Sequence, residues 1–103
     1  MRVSIISAAE SDVAAATPWY LDHAADPTVA NRFADAFEAA AAELERRPFE
    51  SLTPYPDTAY RYLRVDRFPY LIVVKERGRG EAVIIAVPHE RQSPDGWVGR
   101  GGA

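Results

Sequence analysis

Residues 70–87, YLIVVKERGRGEAVIIAV, hold two apolar runs joined by a short basic turn. Each run is apolar at consecutive positions, so neither can leave one face in water as an ordinary surface strand does. Arg77-Gly78-Arg79-Gly80 supplies the glycines of a tight reversal, and the runs are expected to pair as antiparallel neighbours inside a sheet. A hairpin of this kind needs a cover on both faces, and the rest of the chain has to supply them.

One cover is legible upstream. Asp26 can cap a helix, Pro27 fits its first position, and Phe33, Phe37, Ala40, Ala41 and Leu44 recur at helical spacing until Arg47-Pro48 stops it. Before it, Ser7–Ala16 is alanine-rich with Glu10, Ser11 and Asp12 near its start, and Val13, Ala16, Tyr20 and Leu21 carry one face past Pro18. Proline lacks the backbone donor, so this first helix is expected to kink near Thr17 or to restart there. A polar turn around Ala25 to Pro27 would fold the two into an antiparallel hairpin with one apolar face. Residues 2–6, RVSII, read as a strand, 60–66 as another, and 48–58, with three prolines, as a loop. The expected fold is α+β: a strand, a helical hairpin, then a three-stranded antiparallel meander with the helices on one sheet face. The whole, residues 1–103, is expected to be one domain whose residues 98–103 form a flexible tail.

The second cover is expected from the tail, VPHERQSPDGWVGR, which holds one of two histidines and one of two tryptophans in the chain. His89 at a strand end is expected to bond a backbone carbonyl and fix how the tail leaves the sheet, with Trp97 folding back over the sheet. Arg91 and Arg100 would then be rim charges, solvated or paired with Glu90 and Asp95. The stretch reads as a clasp first and a contact surface second.

Composition narrows the function. There is no cysteine, hence no disulfide or zinc–thiolate site, and no histidine pair stands at ligand spacing, so neither metal nor cofactor is expected. No apolar run is long enough to span a bilayer and the N-terminus turns acidic too early for a secretory signal, so a cytoplasmic protein without membrane contact is expected. Residues 1–60 hold 4 Lys+Arg against 10 Asp+Glu, whereas 61–103 hold 8 against 5, so a basic C-terminal surface could face an anionic partner. The acidic helix face, with Asp35, Glu38, Glu43 and Glu45, is expected to be solvated or to take a basic partner segment. Arg64 should point away from Arg61, because strand side chains three apart alternate faces.

Several residues fit one pattern in order: Ala8–Val13, Phe33 and Leu44, Pro48, then Arg61 with Leu63 and Val65, and Phe68-Pro69-Tyr70. Val87, His89, Arg91, Pro94, Trp97 and Arg100 complete it. The set resembles the RelE/ParE superfamily of toxins from type II toxin–antitoxin systems, most closely its ParE-like branch of plasmid stabilisation proteins, over nearly the whole chain. The resemblance implies a toxin neutralised by a cognate antitoxin, with which it could form a hetero-oligomer. ParE-like members inhibit DNA gyrase by binding, and RelE-like members cut mRNA in the ribosome. Val74 stands where many relatives have tyrosine, and no tyrosine follows His89, so a non-enzymatic, gyrase-directed toxin is expected. The alternatives are a ribosome-dependent nuclease and a degenerate, non-toxic module. The nuclease's 2′-hydroxyl chemistry would need a base, an acid and cations on the phosphate, and would take His89 as base with Arg61 and Arg91 against the phosphate. Expected contact residues are Arg61, Arg64, Tyr70, Ile72, Arg91, Trp97 and Arg100, with Tyr70 and Ile72 lining an open groove between helices and sheet.

Overall fold

The computed structural model describes residues 1–23 and 28–100, without the side chains of 17–23, 29 and 30. In chain order the elements are β1 (Arg2–Ile5), α1 (Ser7–His23), α2 (Thr28–Glu45), β2 (Thr53–Pro54), β3 (Arg61–Arg64), β4 (Leu71–Glu76) and β5 (Glu81–Ala86). Short 3₁₀ turns at Phe49–Ser51 and Pro94–Gly96 complete the set. The sheet order is β1-β5-β4-β3-β2. β3, β4 and β5 form the expected antiparallel meander, and β1 adds parallel to β5. The stretch expected as a featureless loop contributes β2, whose Thr53 and Pro54 pair with Tyr62 and Arg61. The fold is therefore α+β with a five-stranded mixed sheet.

α1 runs unbroken through Pro18, so Thr17 does not cap a restarted helix; the missing proline N–H costs a hydrogen bond without ending the element. The caps expected at Asp26 and Pro27 lie outside the described residues. At the far end of α2, Arg46 and Arg47 donate N–H bonds to Glu43 and Leu44 carbonyls, tightening the last turn before Pro48. The β4–β5 turn closes with the Arg77 N–H on the Glu81 carbonyl at 2.8 Å, while Gly78 and Gly80 take φ values of 72° and 73°. A side chain at either position would meet its own backbone there.

Strand alternation divides the core into two layers. Val65, Ile72, Val74, Ala82, Ile84 and Val87 face the helices and pack against Ala9, Ala16, Phe33, Ala40 and Leu44. Leu71, Val73, Val83, Ile85 and Ala86 face the other way, beneath Trp97 and the rings of Tyr55, Tyr60 and Tyr62. Both faces of the central hairpin are thus covered from within the chain. A bulge adjusts the parity: Val74 pairs with Ile84 but Val73 pairs with Ala86, so Ile85 is the extra residue. Ile85 and Ala86 consequently share one layer, and Val87 returns to the helix side.

Candidate functional site

The tail is built onto the sheet by a chain of local bonds. Tyr70 and His89 form an antiparallel bridge, flanked by the Leu71 N–H on the Pro88 carbonyl and the Glu90 N–H on the Pro69 carbonyl. His89 Nδ1 accepts the Arg91 N–H at 3.1 Å, and the imidazole stands edge-on to Tyr70 with centroids 5.4 Å apart. The expected carbonyl partner is thus replaced by an amide. The ring thereby shapes the turn after β5. Ser93 Oγ caps the 3₁₀ turn by accepting from the Asp95 N–H, which delivers Trp97 to the sheet.

Trp97 is 1% exposed and lies at 84° to the Tyr55 ring, centroids 5.0 Å apart. Tyr60 leans on its other side and donates its hydroxyl to the Val98 carbonyl at 2.7 Å. Arg100 fastens the end: Nη1 donates to Asp12 Oδ2 at 2.7 Å and to the Ile85 carbonyl at 3.3 Å. The same Asp12 oxygen accepts the Val87 N–H just beyond the bulge, at 2.9 Å. One carboxylate therefore joins α1, β5 and the tail. Arg100 finds its partner 88 residues away and not at Glu90 or Asp95. Residues 98–100, expected in a flexible tail, make these bonds, and 101–103 lie outside the described residues.

The arginines do not gather on one edge. Arg61 pairs with Val74 on the helix-facing side and spends its guanidinium on the Leu52 and Glu50 carbonyls, 2.8 and 3.2 Å away, over the Phe49 ring. Arg64, on the opposite face as alternation requires, reaches Glu90 at 3.2 Å and the Phe68 carbonyl. Arg91 is exposed next to Glu90. Arg100 sits across the sheet with Asp12.

Among the described residues, none of the clefts is lined by Tyr70 or Ile72. Ile72 is 0% exposed because Phe33 and Leu44 descend from α2 onto the same layer. Tyr70 packs half-buried against Phe33, rings 5.3 Å apart, and burial raises its phenol above the ordinary pKa of 10.0. Phe33 and Leu44 cover Ile72, and Ile72 and Trp97, both buried, present no surface to a partner. Sequence reasoning missed Asp12, because an acid near a helix start is common and carries no mark of a distant partner.

Concave surface lies elsewhere. A cleft of about 800 Å³ runs between α2, at Ala36, Ala39, Ala40, Glu43 and Arg46, and the β3–β4 turn, at Arg64, Val65, Asp66 and Arg67. A neighbouring cleft of about 410 Å³ extends it past Arg32 and Asp35 to Phe68. Arg67 holds a φ of 68°, a left-handed geometry that a branched or long side chain rarely adopts. Among the described residues no three His, Asp or Glu side chains gather as a metal ion would need. No described helix is long and apolar enough to cross a membrane.

The family described as ParE toxin of type II toxin-antitoxin system, parDE, matches residues 3–94. Among solved structures, the chromosomal ParDE TA system from P. aeruginosa superposes with a TM-score of 0.71 at 16% identity, covering 86% of this chain and 95% of that one. At that identity the likeness establishes the shared fold. No curated protein matches the chain.

Proposed function

This chain belongs to the ParE toxin family of type II toxin–antitoxin systems, and from that membership we propose that it arrests growth by binding DNA gyrase until a cognate antitoxin neutralises it. The observation that favours binding over RNA cleavage is the engagement of the candidate catalytic groups. His89 Nδ1 already accepts a backbone N–H, Arg64 is paired with Glu90, and Arg61 is spent on two carbonyls. A nuclease needs a free base beside cations that converge on one phosphate. Tyr70, a phenol that burial shifts further upward, is a poor base at neutral pH.

The partner-facing surface in this reading is the sheet end where Arg64 and Arg91 flank Glu90 beside Tyr70. The exposed Arg91 guanidinium there suits a carboxylate of an antitoxin or of gyrase, with Arg64 held against Glu90 beside it. Purified chain added to a gyrase supercoiling reaction should inhibit it, and His89→Ala should inhibit equally. Arg64→Ala with Arg91→Ala should weaken antitoxin capture or gyrase inhibition. Messenger cut inside ribosomes, with cleavage abolished by His89→Ala, would instead establish the nuclease.

A further inference from the structure

The solvent-facing side of α2 carries a pattern that neither the core nor the tail uses. Arg32, Asp35, Ala39, Glu43 and Arg46 lie on it at helical spacing and form one wall of the two clefts. Counted outward from Ala39, both directions read alike: alanine at three residues, a carboxylate at four, an arginine at seven. A helix face that reads the same both ways complements itself when a second copy lies against it antiparallel. We propose that this stripe docks a second copy of the chain, related by a two-fold axis at the level of Ala39.

The geometry follows from the helix repeat. A two-fold axis perpendicular to both helices reverses height along the helix but keeps each residue on its own flank. At about 100° per residue, Arg32 and Glu43 fall on one flank of Ala39, with Asp35 and Arg46 on the other. Arg32 therefore stands within about one turn of the second copy's Glu43, and Asp35 within one turn of its Arg46. Each pair occurs twice. Alanines at 36, 39 and 42 let the axes approach to about 8 Å, the close end of helix packing.

Glu43 also reaches Arg47 of its own chain at 3.7 Å, in an exposed contact that leaves it free to exchange partners. The other wall of the cleft brings one charge of each sign, Asp66 and Arg67, with side chains 90% and 89% exposed. An unrelated helix would have no use for the reflection about Ala39, whereas a second copy of the chain matches it. Exposed ion pairs are individually weak and screened by salt, so the dimer is expected to be weak and salt-sensitive.

Sedimentation velocity of the intact chain alone, from micromolar to millimolar loading, reads the equilibrium directly. A reversible monomer–dimer exchange that weakens with added salt is expected. Asp35→Arg or Arg46→Glu alone places like charges at both ends of the interface and should weaken association about tenfold. The double variant D35R/R46E should restore it to within about threefold, since each pair is rebuilt with its signs exchanged. Positions 35 and 46 are about 16 Å apart along one helix, so the rescue cannot arise within a chain. Circular dichroism and the thermal midpoint verify that each variant folds. Three results overturn the proposal: a monomer throughout, a dimer indifferent to both single reversals, or single losses that the double variant does not repair. The first two leave the stripe to an unrelated protein.

Discussion

Replacing Trp97 with alanine tests whether the tail is a structural cover. The indole is 1% exposed between the Tyr55 and Tyr60 rings and above Val73, Val83 and Ile85. A buried aromatic removes about 150–250 Å² from water, worth about 4–6 kcal/mol at about 25 cal/mol per Å². Measured large-to-small changes in cores fall at about 3–5 kcal/mol, because neighbours relax into part of the space. A loss of about 4 kcal/mol is therefore expected, a large share of the about 5–15 kcal/mol that stabilises a domain of this size. Urea unfolding followed by far-ultraviolet circular dichroism measures it, with the midpoint falling by about 2–4 M if the slope is unchanged. Trp97→Phe keeps an apolar ring against Tyr55 and dispenses with an indole N–H that has no hydrogen-bond partner among the described residues, so it should lose less than half as much. If Trp97→Ala costs under about 1 kcal/mol, the tail is not a cover and the second layer of the core must be sealed another way.

Arg100→Ala leaves Asp12, about a quarter exposed, with the Val87 N–H alone; a loss of about 1–2 kcal/mol is expected, and a double-mutant cycle with Asp12→Ala should return a coupling near 1 kcal/mol. Gly80→Ala has open space for its methyl group but keeps a φ of 73°, so backbone strain alone should destabilise it by about 1 kcal/mol in thermal unfolding. The raised pKa of Tyr70 gives a signed pH effect: the unfolded chain releases the phenolic proton first, so the contribution is intact below pH 10.0 and falls as pH climbs toward the native value. Tyr70→Phe should flatten that alkaline decline in denaturant titrations at stepped pH.

Much of this architecture can be read from residue order, for a definite reason. Two runs apolar at consecutive positions cannot exist half-solvated, so the central hairpin and its two covers follow from YLIVVK and AVIIAV. Phe33 and Leu44 announced the helical cover by their spacing, and the Trp97 cover followed by elimination. What stayed hidden depends on distant partners. β2 is two residues long, contains Pro54, and is held in place by Arg61 bonds to the Glu50 and Leu52 carbonyls, none of which has a local signal. The bulge at Ile85 is equally silent, because every residue around it is apolar. Ile72 was assigned to a partner groove because its exposure depends on how closely α2 descends, which spacing does not specify. Arg100 was matched to nearby acids, whereas its partner is fixed by the position of α1 over β5.

The neighbour of β1 in the sheet is β5, with Arg2 aligned to Glu81, and the last fastening comes from Arg100. β1 must therefore wait, unpaired in the sheet, until β5 has been synthesised. Closure of so long a loop is a late event in folding. Synthesis that stops before Glu81 leaves a polypeptide lacking the strand on which the sheet is organised, so an interrupted synthesis yields no finished fold.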